Sequence, residues 1–401
     1  MPSFDETLQA RLGGLREQNL FRELRRVDSA QGPRIEIGGQ KLLNFSSNDY
    51  LGLAGHPALK AAAVRAVEKF GAGAGASRLV CGSLAPFHEL EESLARFKKT
   101  EAALTFATGY AAAAGAITSL VGKDDIIIID KLVHASIVDA AKLSGAKLRV
   151  FAHNDLEDLE DKLKWAAGLQ AEIRNAKSEI LVVTESVFSM DGDTAPLREI
   201  VGLKNKYGAW LMVDEAHATG IFGKHGRGLA DELGVSDQVE VQMGTLGKAL
   251  GASGGYICGS RTLVDFLVNR ARSFIFSTAP VPAAAAAAKA GIEIAQSAEG
   301  EKLRKALRQR IAGFKSALRA PHSVISSAII PLILGGEQKA VEAAAILREQ
   351  NIFVPAIRYP TVARGAARLR VTLTAAHSAE DVAELVHALK TLDLKAVQEK
   401  L

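Results

Sequence analysis

A series of short apolar segments, separated by helical stretches, is the feature that most constrains how this chain folds. After residue 100 these segments are DIIIID, KLRVFA, EILVVTES, AWLMVDEA, VEVQMGTL, GGYICGS and FIFST. Several are apolar throughout rather than alternating, which is typical of strands buried on both faces. Strands that alternate with helices predict an α/β layered domain with a mostly parallel sheet.

The regions before and after this alternation have different patterns. The first 40 residues predict a helical arm over Phe4–Arg26 and then a small hairpin in PRIEIGGQKLLNF, where GG is the turn signal. From about residue 300 a long charged helix, the short strands SSAIIPLILG and RLRVTLT, and closing helices predict a smaller α+β domain. We therefore expect an arm and hairpin over 1–55, a large domain over 56–290 and a small C-terminal domain over 291–401.

Composition and charge exclude several classes of protein. The 49 basic and 45 acidic residues nearly balance, and the sequence has no long basic run. This charge pattern gives no indication of a surface that binds nucleic acid or membrane. The polar N-terminus MPSFDETLQARLGGLREQ predicts no secretory signal, and no apolar run approaches the roughly 20 residues of a membrane span. Two cysteines, Cys81 and Cys258, cannot build a disulfide framework or a zinc site alone. We expect a cytoplasmic protein with no metal.

Two short motifs resemble nucleotide-binding signatures without their context. DEAH at Asp214–His217 matches a helicase box, but the chain contains no G-x-x-x-x-G-K-[ST] to cradle a nucleotide triphosphate. GAGAGA at Gly71–Ala76 follows a helix rather than a strand, unlike a dinucleotide fingerprint. Neither motif therefore predicts nucleotide binding.

Polar side chains with useful chemistry follow four of the predicted strands. In open α/β sheets, ligands bind beyond the carboxyl ends of the strands. An acid, two imidazoles, hydroxyls and one lysine are therefore expected to share one rim of the sheet. The residues that follow the four strands are Asp130, His134, Ser189, Asp214, Glu215, His217, Thr245 and Lys248.

A candidate anion site lies in FATGYAAAAGAITSL, where a turn at Thr108–Gly109 leads into an Ala-rich helix. The free backbone N–H groups and the dipole of such a helix start favour a phosphate, and Gly109 lets the backbone come close. Thr245, three residues before Lys248, could add a hydroxyl to the same phosphate.

Pyridoxal phosphate accounts for the lysine, the acid, the imidazoles and the phosphate site together. Lys248 would hold the cofactor's aldehyde as a Schiff base. Asp214 would pair with the pyridine nitrogen and keep it protonated, so that the ring acts as an electron sink. His134 would stack on the ring, and His217 with Ser189 would hydrogen-bond the ring hydroxyl.

The chain resembles the α-oxoamine synthases, pyridoxal-phosphate enzymes of fold type I, the aspartate-aminotransferase fold. The resemblance runs from FRELRR to RLRVTLTAAHS. It is carried by NFSSNDYLGL, ATGYAAAAGAI, HASI, TESVFSMDGD, VDEAHATGIFGKHGRG, TLGKALGASGGYICGS and SFIFSTAP, in family order and with family-like spacing. It implies a homodimer with active sites at the subunit interface, and it makes the large domain the cofactor-binding one.

The resemblance also assigns roles to individual residues. It implies that Lys248, Asp214, His217, His134 and Ser189 contact the cofactor as above, that Gly109, Tyr110 and Thr245 bind its phosphate, and that Ser277 and Thr278 reach the phosphate of the neighbouring subunit. Arg370 is the candidate for the amino-acid carboxylate, with Arg368 as the alternative, because both suit a bidentate contact. Arg22 and Asn48 match positions near the acyl substrate, and Arg25 is a weaker candidate there.

Family members join an amino acid to an acyl thioester. The stretches SSNDYLGL, GAGASRLVCGS and RSFIFSTAP most resemble the members that condense L-alanine with a pimeloyl thioester, giving 8-amino-7-oxononanoate in biotin biosynthesis. The alternatives are glycine C-acetyltransferase chemistry, with glycine and acetyl-CoA, or the reaction of another α-oxoamine synthase. Whether the acyl carrier is CoA or a carrier protein stays open at this point.

Overall fold

The computed structural model describes residues 1–172, 178–318 and 327–392. The chain divides into two compact units. The smaller unit comprises Met1–Tyr50, Met190–Asp193 and Lys305–Leu401, and the larger comprises Leu51–Ser189 and Thr194–Arg304. The N-terminal 50 residues therefore share a unit with the C-terminal residues. The predicted domains 1–55, 56–290 and 291–401 are a different division and stay a prediction, and residues 393–401 lie outside those described.

The strands and helices are numbered in chain order. The strands are β1 (Arg34–Ile37), β2 (Gln40–Asn44), β3 (Ala102–Phe106), β4 (Ile126–Asp130), β5 (Lys147–Phe151), β6 (Ile180–Glu185), β7 (Trp210–Asp214), β8 (Val241–Thr245), β9 (Gly255–Gly259), β10 (Ile329–Gly335), β11 (Ile352–Phe353), β12 (Ala356–Ile357) and β13 (Ala367–Thr372). The helices are α1 (Phe4–Glu17), α2 (Pro57–Phe70), α3 (Ala85–Lys98), α4 (Gly109–Leu120), α5 (Ala135–Ser144), α6 (Leu156–Glu172), α7 (Leu197–Lys206), α8 (Leu229–Glu232), α9 (Arg261–Arg270), α10 (Arg272–Ile275), α11 (Pro282–Gln296), α12 (Ala298–Leu318), α13 (Glu337–Glu349) and α14 (Ala379–Thr391).

The larger unit is built on a seven-stranded sheet in the order β3-β9-β8-β7-β6-β4-β5. Strands β4 to β8 are parallel, and β9 runs antiparallel to both β3 and β8. Every residue of β4 and β6 is buried, which explains why these segments are apolar along their whole length. The predicted mostly parallel sheet is confirmed.

The sequence analysis assigned one strand of this unit wrongly and missed another. FIFST is not a strand, because Arg272–Ile275 form the helical turn α10 and the backbone N–H of Phe276 bonds back to the carbonyl of Arg272. This turn places the Phe274 ring edge-on against Phe106 at 5.9 Å. The missed strand is β3, which pairs with β9. Its segment AALTF has only two large apolar residues, Leu104 and Phe106, and gave a weak apolar signal.

The helical arm is also shorter than predicted, since α1 ends at Glu17 rather than at Arg26. Asn19 adopts a left-handed φ of 55°, and the N–H of Leu20 bonds to the carbonyl of Leu15, which closes the helix. No residue of α1 is buried. The hairpin that follows is confirmed: Gly38 and Gly39 have φ of 58° and 76°, as a two-residue turn between β1 and β2 requires.

The smaller unit contains two three-stranded sheets, β1-β2-β11 and β10-β13-β12. β13 pairs antiparallel with β10, with Arg370 opposite Pro331, and all of its residues are buried. The predicted strands SSAIIPLILG and RLRVTLT are therefore present as β10 and β13. Along the described chain, no helix is long and apolar enough to cross a membrane.

Candidate active site

The lysine lies in the connection between β8 and β9. The N–H of Leu246 bonds to the carbonyl of Gly254 at 2.9 Å, and the N–H of Gly251 bonds to the carbonyl of Lys248 at 2.9 Å. The Nζ of Lys248 lies 2.7 Å from Nε2 of His217. The structure thus brings together the amine and one of the two imidazoles that the sequence predicted to share a site.

Asp214 ends β7 and is almost fully buried. Its Oδ1 accepts the backbone N–H of Ala216 at 2.8 Å, which fixes the carboxylate against its own turn. Burial raises the pKa of Asp214, and the charges of Lys248 and His134 oppose that rise. The acid, the lysine and the second imidazole are therefore close enough to influence each other's ionisation.

His134 is the N-cap residue of α5, directly after β4. Its Nδ1 accepts the backbone N–H of Ser136 at 3.2 Å and lies 2.8 Å from the Ser136 hydroxyl. Because Nδ1 accepts, the proton of the neutral ring is on Nε2. The packed surroundings of the ring lower the pKa of His134, although the residue keeps an exposed surface. The geometry presents a neutral imidazole with an Nε2–H donor.

Glu185 is a buried residue that the sequence reasoning missed. It ends β6, accepts the backbone N–H of His134, and also accepts the backbone N–H of Ser189. Burial, and then the charge of Asp214, raise the pKa of Glu185 well above its usual range. The missed signal was a carboxylate at the end of the apolar segment EILVVTES, the same pattern that identified Asp214. Ser189 itself is buried beside this group.

At the predicted phosphate site, the backbone of β9 passes close to the backbone at the start of α4. Thr108 is the N-cap of α4, and its hydroxyl accepts the N–H of Ala111 at 3.0 Å. A Cβ on Gly109 would lie 3.7 Å from the Cβ of Thr245, and one on Gly255 would lie 2.5 Å from the carbonyl oxygen of Thr108. Gly255 therefore lets β9 approach the start of α4 more closely than any Cβ would allow, whereas a Cβ on Gly109 would make only ordinary contacts. We call the backbone at Thr108–Gly109, positioned by this approach, the phosphate cradle. Gly255 is a second residue that the sequence reasoning missed.

Thr245 and Tyr110 use their hydroxyls elsewhere. The Thr245 hydroxyl donates to the carbonyl of Gly254 at 3.0 Å and accepts the N–H of Gly247 at 3.1 Å. The Tyr110 hydroxyl donates to Asp139 on α5 at 2.6 Å. For Tyr110 this leaves the backbone N–H as the group that faces an anion at the helix start, and Thr245 would have to rotate its hydroxyl to donate to one.

Ser277 and Thr278 lie in the segment after α10. The Ser277 hydroxyl donates to the carbonyl of Thr278 at 3.3 Å, and Thr278 forms an isolated bridge with Ser77. Within the described part of the chain, neither side chain hydrogen-bonds to Gly109 or Thr245. Their predicted contact with a neighbouring subunit's phosphate stays a prediction.

In the smaller unit, Arg370 and Asn48 are in contact. The Nη1 of Arg370 donates to Oδ1 of Asn48 at 3.1 Å and to the hydroxyl of Thr372 at 2.9 Å. The alternative, Arg368, is engaged by a carboxylate instead, since its Nη1 donates to Asp191 at 2.6 Å. The assignment of Arg370, with Arg368 as the alternative, to the amino-acid carboxylate stays a prediction.

A group of arginines surrounds the end of the N-terminal arm. Arg22 donates to the carbonyl of Tyr359 at 3.0 Å, and Arg358 donates to the carbonyls of Asn19 and Phe21. Burial, and then the charges of Arg22 and Arg25, lower the pKa of Arg358. Arg22, Arg25 and Arg358 are called the arginine cluster below. The sequence reasoning found the first two but missed Arg358, because the contact joins distant parts of the chain.

The described residues contain no cluster of three or more His, Cys, Asp or Glu side chains that could hold a metal ion. A lysine beside an imidazole, with a buried acid at the carboxyl edge of a mostly parallel sheet, is the arrangement of an aminotransferase-like enzyme. The chain belongs to the aminotransferase class I and II family, whose model matches residues 40–389.

Its relatives narrow the group further. The chain is 47% identical to 8-amino-7-oxononanoate synthase from Geotalea daltonii, over 97% of both chains. It is 49% identical to the protein of the same name from Anaeromyxobacter dehalogenans, over 95% of this chain and 94% of that one. A solved serine palmitoyltransferase from S. paucimobilis with a bound PLP–myriocin aldimine superimposes with a TM-score of 0.88 at 28% identity, over 96% of both chains. The resemblance to α-oxoamine synthases is confirmed.

Proposed function

We propose that this protein is a pyridoxal-phosphate-dependent acyltransferase that condenses L-alanine with a pimeloyl thioester. The products are 8-amino-7-oxononanoate, the free thiol and CO2, a step of biotin biosynthesis. The observation that carries the proposal is the joint placement of Lys248, His217 and Asp214 at one sheet edge. The near full-length identity of 47% to a named 8-amino-7-oxononanoate synthase selects the reaction within the family.

The side chains at this edge fit pyridoxal phosphate. Lys248 would hold the aldehyde carbon, Asp214 the pyridine nitrogen, and the N–H groups at the start of α4 the phosphate. Gly255 lets β9 approach these N–H groups more closely than a Cβ would allow. His217 and Ser189 would face the ring hydroxyl, and His134 the ring plane. When bound, the cofactor supplies an electron sink for charge that develops at Cα of the amino acid.

Protein groups then control the bond that breaks and the proton that moves. The amine of Lys248, once released by the incoming amino acid, takes the Cα proton and later returns a proton to the product. His217, 2.7 Å from that amine, steadies its position. Arg370 holds the carboxylate of alanine and so selects which Cα bond is oriented for cleavage. The Nε2–H of His134 donates to the substrate oxygen that gains negative charge.

The arginine cluster supports a dicarboxylic acyl group. Burial, and then the charges of the two neighbouring guanidinium groups, lower the pKa of Arg358. The three guanidinium groups together form a region that favours a carboxylate, as at the distal end of a pimeloyl chain. An acetyl group, the substrate of glycine C-acetyltransferase, has no such charge. The acyl carrier is CoA or a carrier protein.

The same proposal includes a cytoplasmic homodimer. Large apolar side chains lie exposed on the two loops that the Ser77–Thr278 bridge joins: Leu79, Val80 and Phe276 are 53%, 77% and 71% exposed. A second copy would cover them, and would bring Ser277 and Thr278 to its own active site. Sedimentation equilibrium of the full chain tests this assembly.

The decisive experiment measures thiol release over a panel of amino acids and acyl thioesters. We expect the largest kcat/KM for L-alanine with pimeloyl-CoA or pimeloyl carrier protein. A preference for glycine and acetyl-CoA would replace the proposal with the alternative. The Lys248→Ala variant should keep the fold and lose the absorbance band of lysine-bound cofactor, with Lys164→Ala as the surface control. Retention of that band in Lys248→Ala would contradict the assigned lysine.

A further inference from the structure

Glu185 occupies a central position among the residues of the proposed site. Its strand, β6, lies between β4 and β7 in the sheet. His134 follows β4, and Asp214 ends β7 directly opposite Glu185 in the strand register. Only 2% of Glu185 is exposed, so its carboxylate contacts protein rather than solvent.

The carboxylate connects two loops that carry predicted cofactor ligands. It accepts the backbone N–H of His134 at 2.5 Å, at the start of α5. It also accepts the backbone N–H of Ser189, in the segment that leaves β6. Two backbone donors from different loops therefore converge on one side chain.

The groups around Glu185 shift its pKa in both directions. Burial raises the pKa of Glu185 most strongly, Asp214 raises it further, and Lys248 and the two backbone donors lower it. A buried carboxylate is unfavourable unless hydrogen bonds and opposite charge compensate it. A glutamine of the same size has a single acceptor atom, and its NH2 group would face one of the two N–H donors.

We infer that Glu185 is a positioning residue that holds His134 and Ser189 in place, and thereby sets which nitrogen of the His134 ring carries the proton. The N–H of His134 bonds to Glu185 while its Nδ1 accepts from Ser136. Moving the start of α5 therefore loosens the contact that keeps the proton on Nε2. The inference rests on the proposed function for the role of His134, but the placement it describes belongs to the protein without cofactor.

The test compares Glu185→Gln with Asp125→Asn. Asp125 is a matched control because its carboxylate also accepts two backbone N–H groups, from Gly122 and Glu179 at 2.8 Å each. It lies just before β4, at the amino ends of the parallel strands, whereas Glu185 lies at their carboxyl ends. Both substitutions put an NH2 group into a side chain that accepts two backbone N–H groups, but only Glu185→Gln disturbs the connection to His134.

The first readout is the His134 tautomer in the cofactor-free protein, from 15N spectra of histidine-labelled chain assigned with a His134→Asn variant. We expect an Nε2-protonated ring in wild type and Asp125→Asn, and a mixture of tautomers in Glu185→Gln. The second readout is steady-state kinetics. Glu185→Gln should lower kcat roughly tenfold, less than the roughly hundredfold effect of removing a donor to the transition state, because the Nε2–H of His134 is displaced and not removed. KM for L-alanine should stay within about twofold because Arg370 is unchanged.

An unchanged His134 tautomer with unchanged kcat in Glu185→Gln would overturn the inference. Should that variant not fold, Glu185→Asp is measured in the same way, since it keeps the charge but withdraws the carboxylate by one methylene. The proposed function fails separately: wild-type protein that releases no thiol from any acyl thioester would refute the reaction, whereas the tautomer measurement needs neither cofactor nor substrate.

Discussion

Replacing Gly255 with alanine tests the geometry of the phosphate cradle directly. The new Cβ would lie 2.5 Å from the carbonyl oxygen of Thr108 and 2.7 Å from Cα and N of Gly109. Real Cβ contacts essentially never fall below 3.0 Å, so the start of α4 must move by roughly 0.5 Å or more. All the obstructing atoms are backbone, which leaves no side chain to rotate away.

The expected cost has two parts. Overpacking of a buried strand should lower the free energy of unfolding by about 1–3 kcal/mol. Displacement of the Gly109 N–H from its anion weakens a hydrogen bond worth about 1–2 kcal/mol, which corresponds to a loss of cofactor affinity of roughly 5- to 30-fold. The two parts are separable because the first needs no cofactor.

Gly259→Ala is the matched control on the same strand. Its Cβ would lie 2.7 Å from the carbonyl oxygen of Glu240, at the far end of β9. Both variants should unfold at similarly reduced urea concentrations. In titrations of the cofactor-free proteins, only Gly255→Ala should bind pyridoxal phosphate more weakly, and its affinity for pyridoxal, which lacks the phosphate, should match that of Gly259→Ala. Equal affinity of the two variants for pyridoxal phosphate would refute the cradle.

Three further variants test separate parts of the structure. Lys98→Met leaves the fully buried Glu215 without its ion-pair partner, so urea unfolding should show a loss of about 3–5 kcal/mol, whereas the exposed Lys164→Met should change little; equal effects would contradict the burial argument. Arg22→Ala should raise KM for pimeloyl-CoA but not for heptanoyl-CoA, which has the same length and no distal carboxylate; a parallel rise would refute charge recognition. Burial lowers the pKa of His377 below 6.5, so the unfolded chain takes up a proton that the folded chain does not, and stability falls as pH drops below about 6.5. His377→Asn should flatten that fall between pH 7.5 and 5.5 in urea midpoints, and an unchanged slope would exclude His377 as its source.

The sheet was predictable because burial on both faces leaves a simple record in sequence. Strands β4, β6 and β7 are apolar until their carboxyl ends, where a polar residue marks the rim. β3 was missed because only two of its five residues, Leu104 and Phe106, are large and apolar. FIFST was assigned wrongly because a single helical turn can bury the same aromatic side chain as a strand. The end of α1 depends on one left-handed residue, Asn19, which a helical pattern does not reveal.

The candidate site was predictable where chemistry follows a strand directly and hidden where it depends on tertiary contact. Lys248, Asp214, His217 and His134 follow that rule, and the structure brings His217 to Lys248 and couples His134 to Asp214. Arg358 approaches Arg22 only through folding of distant segments, so no local pattern marks it. The ion pair of Arg368 with Asp191 likewise joins distant segments, so the sequence pattern did not reveal it.

The connection that carries Lys248 is attached to the sheet at both ends. β8 and β9 pair through Thr245 and Gly255, and the N–H groups of Leu246 and Ala252 bond within the connection at 2.9 Å. The main chain around Lys248 is therefore held in one position. The Nζ atom of Lys248 can therefore move only by rotation about the bonds of its four methylene groups. The length of this side chain, and not movement of the loop, then limits where a substrate can react with the amine.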